Sequence, residues 1–449
     1  MSSTRVSSDA DNLQPSRIVC ALSRHVFYGW VVVAMAFIAQ MFSGLSIQGM
    51  ATYMVPLERE FGWSRAVIAG GRTFQQVDAF LGPLNGWLVD RYGARRLMSL
   101  GVVLFAIAFV ALSAIESVWA YYGACLLLAV ANTLLGLLVV GYSVNQWFRR
   151  KRTTAMGIAV TGFAVSGMVL IPAMVWAQTE LGWRTAALLT GGVLLLLGLP
   201  IMLLIRDSPE PYGLLPDGDR VDAGAASGRQ ALHGGGLVNF TLAEALRTRA
   251  YWYLNLGMVL SMLAQVAVVV HQFAHFEDVI DRESAALVLV VLNVFNMAGR
   301  LFGGILGDRM SKHHLLGVSL VVTTGSLVVA AYAASLPLLM VYGALFGFCW
   351  GIRTPVINSL LGDYFGRLSY GRIAGLTFTF STPLAMISPI IVGLVVDMQG
   401  NYQHSLLVLA LVTAISATLF FLARRPPDPV RLSSSGNASP TTASGAAHT

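Results

Sequence analysis

Two arginines, Arg300 and Arg353, stand inside long apolar runs of this chain. An arginine near the middle of a membrane-crossing helix costs about 2.5–3.5 kcal/mol on insertion scales, so its head group is expected to face a watery cavity or a partner. Its guanidinium is a planar fork that matches a carboxylate through two parallel hydrogen bonds, so the chemistry on offer is recognition of an anion at mid-membrane. For Arg300 the alternative is an internal ion pair with Asp78. Arg353 lies in Cys349-Trp350-Gly351-Ile352-Arg353-Thr354-Pro355, where Gly351 and Pro355 loosen the helix and release backbone carbonyls. It either adds a second positive group to the same cavity or snorkels and braces a neighbouring helix. Arg72 lies nearer a membrane surface and reads as structural.

Residues able to carry a proton are few. Asp78 is the intramembrane carboxyl set away from a helix end, and His271 and His275, one turn apart, belong to the residue type that titrates near neutrality. Each histidine has a competing role as a hydrogen-bonded packing residue. No Gly-x-x-x-x-Gly-Lys phosphate loop and no His/Cys metal spacing occurs, and His313-His314 falls in a basic turn where solvation is expected. No enzyme is indicated, and neither a cofactor nor a metal.

Positioning these groups requires a membrane protein. Of 449 residues, 56% are hydrophobic and only 11% charged, against about 25% charged in soluble domains. Spans of about 20 apolar residues can be placed twelve times, near 27–53, 66–89, 97–115, 118–146, 154–178, 184–205, 250–276, 284–307, 314–334, 337–362, 371–397 and 403–423. The three cysteines are an odd number with two inside apolar runs, so no disulfide framework is implied. The net charge of +7 comes from Lys and Arg scattered in short loops, a pattern that sets membrane orientation rather than nucleic-acid binding. With most of the basic residues on one side and Glu58, Glu60, Glu116, Glu180, Glu277, Asp278, Asp281 and Glu283 on the other, both termini are expected to be cytoplasmic. Residues 1–26 show no apolar core of a signal peptide. The domain plan is a cytoplasmic segment 1–26, a six-helix bundle 27–205, a hydrophilic linker 206–249 with a short helix begun by Thr241-Leu242-Ala243-Glu244, a second six-helix bundle 250–423, and a disordered tail 424–449.

The stretch from Gly82 to Arg96 punctuates the exit of the second span. Small residues at Gly82 and Gly86 permit a close helix approach, and a basic turn follows. It recurs 218 residues on, Asp308-Arg309 matching Asp90-Arg91 and Gly304 matching Gly86, while Trp147-Phe148 with Gly157 and Thr161 is echoed by Tyr364-Phe365 with Gly375 and Thr379. The chain is read as two related halves. Gly162 with Ser166, and Gly343 with Gly347, read as further packing faces.

Two halves, a long linker and a Gly-x-x-x-Asp-Arg-x-Gly-x-Arg-Arg pattern from Gly86 through Asp90, Arg91, Gly93, Arg95 and Arg96 resemble the major facilitator superfamily; the second copy lacks the later glycine. The resemblance implies a fold of twelve transmembrane helices in two pseudo-symmetric six-helix bundles, all α. It also implies that Asp90 with the arginines, and Asp308 with Arg309 in the second copy, clamp the cytoplasmic side during switching. Tyr28-Gly29-Trp30, the Gln146-to-Ala159 segment and Asn296-Met297-Ala298-Gly299-Arg300 resemble, more narrowly, the monocarboxylate transporters and the oxalate–formate exchangers, over nearly all of 25–425. From that likeness Arg300 takes the role of binding the substrate carboxylate. Asn296, Gln48 and Tyr142 are the favoured additional cavity residues, because the first, fourth and eighth helices line the cavity in the superfamily. Other membrane polar residues, among them Gln40 and Asn132, are expected to be mainly interhelical contacts worth about 0.6 kcal/mol each. Where many such carriers have a lysine and an aspartate for proton coupling, this chain has Gln48 and Asn296. The expectation is a secondary carrier of small carboxylates in a plasma or bacterial inner membrane, working as a monomer without nucleic acid. Proton symport would rest on Asp78, His271 and His275, with exchange and drug export as the rival modes.

Overall fold

The computed structural model describes residues 27–64, 67–68, 70–71, 81–212, 214–218 and 239–427. Eleven helices within it are long and apolar enough to cross a membrane. These are α1 (Tyr28–Phe61), α3 (Ala94–Ser113), α4 (Val118–Trp147), α5 (Arg152–Leu181), α6 (Trp183–Leu203), α7 (Arg249–Glu277), α8 (Arg282–Arg309), α9 (Lys312–Ala331), α10 (Leu336–Phe365), α11 (Tyr370–Gln399) and α12 (Gln403–Leu422). The second expected span is represented by α2 (Gly82–Tyr92); its earlier part, with Arg72 and Asp78, lies outside the described residues.

Several helices are irregular for identifiable reasons. A proline inside a helix lacks its N–H and crowds the carbonyl four residues earlier. In α5 the backbone widens into a π turn at Ser166–Leu170 just before Pro172, and in α6 at Leu194–Gly198 just before Pro200. α4 breaks at Gly136, which is extended at φ −71°, ψ −179°.

Small residues set where helices touch. A methyl group added at Gly162 would lie 2.1 Å from the Phe37 carbonyl oxygen, and one at Gly347 would lie 2.2 Å from that of Leu292. These spacings pack α5 on α1 and α10 on α8, as the sequence indicates. The aromatic stretches have a structural purpose too. Trp147 packs beside Phe27 and Tyr28, and Trp30 against Phe148, with ring centroids 5.0–5.8 Å apart. Tyr28 Oη donates to the Leu204 carbonyl at 2.6 Å and Trp147 Nε1 to that of Arg206 at 2.8 Å. The starts and ends of α1, α4 and α6 are thereby tied together on the side of the molecule that carries the linker.

The described parts of the linker dock on this face. Asp207 accepts from the Arg95 amide at 2.9 Å, and Asp217 from those of Arg149 and Arg150 at 3.1 and 2.8 Å. Burial raises the Asp207 carboxyl above its usual range, opposed by the amides of Arg95 and Ala94. Gly93, at φ +78°, makes the turn from α2 to α3 that no larger residue could, because its Cβ would meet the Asp207 carboxylate at about 2.5 Å. Thr241 and Glu244 form the expected capping box on a short helix, Leu242–Leu246. The tail beyond 427 and residues 1–26 lie outside the described residues.

One apolar core runs the height of the first bundle and passes into the second on the linker side, where it unites Tyr28, Trp147 and Val89 with Tyr364, Phe365 and Tyr370. A second, smaller core is confined to the far end of the second bundle. Among the described residues, the core shared by the two halves lies at the linker end.

Candidate functional site

A cavity of about 390 Å³ lies between the bundles, within the range usual for small-ligand sites. Gln40 and Ser43 of α1, Gly82 and Asn85 of α2, Asn132 of α4, Met262 of α7, Arg300 of α8, Thr354 of α10 and Thr382 of α11 face it. Most of the lining is apolar, with polar groups at a few points. Ser43 Oγ donates to Asn132 Oδ1 at 2.7 Å, and Asn85 Nδ2 to the Thr133 carbonyl at 2.8 Å. Gln40 Nε2 and Asn85 Oδ1 are buried without a hydrogen-bond partner among the described residues. A donor and an acceptor therefore lie unsatisfied just behind the cavity wall.

Arg300 is the cationic lining residue. Its Nε donates to Asn296 Oδ1 at 3.1 Å and its Nη1 to the Val160 carbonyl of the other bundle at 2.6 Å. Among the described residues it has no carboxylate partner and its Nη2 no hydrogen bond, so Nη2 is available to a ligand. Asn296, buried, orients Arg300 from one turn earlier and donates to the Gly347 carbonyl at 3.4 Å.

The remaining candidates lie elsewhere. Gln48 is wedged between α1 and α5, donating to the Phe163 carbonyl at 3.4 Å, with its Oε1 where a Gly167 Cβ would be. Tyr142 lies near the linker-side end of α4, and the cavity lining does not include it. Arg353 is 5% exposed and also outside the lining; its Nη2 donates to Gln265 at 3.3 Å, while Nε and Nη1 are buried with no partner among the described residues. His271 Nε2 is 2.9 Å from the Pro389 carbonyl and His275 Nε2 2.9 Å from that of Ala330, both within the second bundle. Asp78 lies outside the described residues.

Below the cavity the bundles close against each other on the linker side, at a contact termed the gate. Asp90 Oδ1 and Oδ2 accept from the backbone amides of Gly371 and Arg372 at 3.0 and 3.1 Å, capping α11, which has no side-chain cap of its own. The second motif does the same in the opposite sense. Asp308 Oδ1 and Oδ2 accept from the amides of Thr153 and Thr154 at 2.8 and 2.9 Å, at the uncapped start of α5. A carboxylate on the first-turn amides of a helix gains charge-assisted hydrogen bonds and a favourable dipole. The helix crossings are correspondingly tight: a Gly86 Cβ would sit 2.1 Å from the Gly371 oxygen, and a Gly157 Cβ 2.6 Å from the Arg300 oxygen. Arg152, 3% exposed, pairs with Asp363 across the gate, and Lys312 joins the same carboxylate.

The arginines of the motif do less than the resemblance implied. Arg91 lies over the Trp87 and Tyr92 rings of its own helix at 5.3 and 5.7 Å. Arg96 and Arg309 are exposed, and Arg95 contributes its backbone amide to Asp207. The inter-bundle capping falls to the two aspartates. Sequence alone points to them only as motif members, because their acceptor role depends on amides more than 150 residues away.

Comparison with known proteins agrees with this architecture. The model for the Major Facilitator Superfamily matches residues 36–279 and 250–445. The chain belongs to that superfamily, and is a membrane transporter rather than an enzyme. Within it the chain is like the monocarboxylate transporters. It is 24% identical to monocarboxylate transporter 2 of Mesocricetus auratus, covering 88% of this chain and 84% of that one. Against monocarboxylate transporter 13 of Rattus norvegicus the figures are 27%, 85% and 85%. Among solved structures, the proton:xylose symporter XylE superposes with a TM-score of 0.68 at 13% identity, over 88% of this chain and 95% of that one. The E. coli fucose:proton symporter FucP gives 0.66 at 14%, over 88% and 100%. At those identities the solved structures speak for the fold alone.

Proposed function

We propose that this transporter carries small organic anions, monocarboxylates of the lactate and pyruvate kind, by alternating access. The observation that supports this most is the Arg300 guanidinium in the cavity lining, held by Asn296 and the Val160 carbonyl with its Nη2 unpaired. A carboxylate there gains charge-assisted hydrogen bonds from the guanidinium, and a small turn of the Gln40 or Asn85 side chain would bring its unpaired amide atom to a second polar group. The names of the relatives favour the same class of substrate. A cationic or neutral drug would leave Arg300 unpaired in a largely apolar chamber, which argues against drug export.

The linker side, with both chain ends, is taken as cytoplasmic and the membrane as the plasma or bacterial inner membrane. The conformation described is then the outward-facing one, with the cytoplasmic gate shut. Switching consists of breaking the Asp90 and Asp308 caps while the halves rock around the cavity. Proton coupling is assigned to Asp78, which stands 218 residues before Asn296 and so at the position matching it in the first half. The two histidines are committed to backbone carbonyls away from the cavity.

The test is labelled-lactate counterflow in proteoliposomes. Arg300→Lys keeps a point charge but loses the fork, and is expected to raise KM about tenfold with a smaller effect on kcat. Unchanged KM would remove Arg300 from the site. Uptake that requires a loaded counter-anion, and does not acidify the lumen, would replace symport by exchange.

A further inference from the structure

A second cavity, of about 360 Å³, opens on the linker side of the gate, and carriage of a solute through the central chamber gives it no role. Arg149 and Arg152 of the first bundle and Lys312, His313 and Arg425 of the second face it, against one carboxylate, Asp363. Arg152 and Lys312 share that carboxylate. The exposed side chains of Arg149 and Arg425 have no ion pair among the described residues, so the pocket keeps an excess of positive charge.

The backbone adds to that field. α9 starts at Lys312, and its N-cap Ser311 makes no side-chain capping bond; the Ser311 hydroxyl is instead 2.7 Å from His314 Nδ1. Ser311, Lys312 and His313, which carry the first turn, all line the pocket. A helix N-terminus beside guanidinium forks and an ammonium is the donor set that suits a phosphate group, with more charge than one carboxylate can balance.

We propose that this pocket binds a phosphate-bearing anion, held between Arg149 of the first bundle and Arg425 with the α9 N-terminus of the second. Two sources offer that chemistry: the headgroup of an anionic phospholipid in the adjoining leaflet, and a soluble phosphate compound. Since its ligands come from both bundles, the bound anion fastens the gate in its closed form. That consequence rests on the alternating-access reading; the binding itself does not.

The experiment measures thermal unfolding of the purified full-length protein in phosphatidylcholine nanodiscs, titrated with inorganic pyrophosphate at constant ionic strength, and in nanodiscs containing phosphatidylglycerol. A saturable rise in the midpoint is expected. A rise with pyrophosphate identifies the soluble source, and one confined to phosphatidylglycerol identifies the lipid. In the Arg149→Ala/Arg425→Ala double variant, both residues exposed and outside the gate, the apparent affinity for pyrophosphate should fall about tenfold or more, or the lipid effect should vanish. Arg300→Lys should leave the rise intact. Absence of any rise, a rise that sodium chloride reproduces, or one undiminished in the double variant overturns the proposal. If Arg300→Lys instead left lactate uptake unaltered, the reading of the central cavity would fail while this test stood.

Discussion

The crossing of α2 with α11 and the crossing of α8 with α5 are built on one plan. Asp90 caps Gly371 and Arg372, Asp308 caps Thr153 and Thr154, and each of these matches its counterpart at an offset of 218 residues. The two differ just above. Gly82 packs on Gly375 in the first, whereas Arg300 occupies the equivalent place over Gly157 in the second. They differ again at the base, where the half-buried ion pair Arg152–Asp363 stands opposite Tyr370 and Asn145, both uncharged. Closure is thus a shared backbone device, while charge is concentrated on one side of the pseudo-twofold axis. In the proposed mechanism, symmetry serves the motion and its violation at Arg300 serves recognition.

Six substitutions would break or sharpen this comparison. The largest effect is expected from Gly86→Ala, whose methyl would stand 2.1 Å from the Gly371 carbonyl oxygen. Overpacking against backbone should cost the closed gate about 3 kcal/mol. A reporter cysteine at Thr382 would then react with impermeant thiol reagents from the linker side, and transport should fall steeply. Next comes Asp363→Asn. It leaves Arg152, 3% exposed, without its carboxylate, and with Asp363 itself 31% exposed the loss is about 2 kcal/mol, read as a lower thermal midpoint. Asn145→Ala, at the uncharged counterpart, should cost less than half as much. Asp90→Asn and Asp308→Asn form a matched pair. Each keeps one acceptor and turns an amide donor on the other N–H, for about 1–2 kcal/mol apiece and slowed counterflow with KM preserved. Their effects should add, since they share no partner; a strongly unequal pair would dissolve the symmetry. The mildest is Gly304→Ala, where the nearest atom is the Thr153 oxygen at 3.0 Å, a contact that small shifts relieve.

Much of this was legible in the residues. The apolar spans, the repeat, the packing glycines and the presence of arginines such as Arg300 and Arg353 inside spans follow from hydropathy and the cost of a membrane charge. What escaped was rotation and height. The helices are apolar on nearly every face, so periodicity does not tell which polar side chain turns inward. Gln40 and Asn85 reach the cavity wall, whereas Gln48, about two turns beyond Gln40 along α1, is wedged behind it against α5. Tyr142 comes from a helix expected to line the cavity, yet lies toward its linker-side end. The aspartate caps were illegible for a different reason, since their donors are backbone amides, identical at every non-proline residue. Linker docking likewise depends on lone carboxylates, Asp207 and Asp217, meeting helix-start amides.

The wide turn at Ser166–Leu170 has a consequence for anyone probing α5. One extra residue in the ring advances the screw by about 100° relative to an unbroken helix. Residues before it, such as Gly157 and Val160, keep one angular register toward α8, while those beyond it follow another, in which Met174 turns to Tyr53, Sδ to Oη 3.8 Å. A cysteine scan of this helix should therefore trace two reactive stripes out of phase, with the discontinuity at the proline's upstream turn.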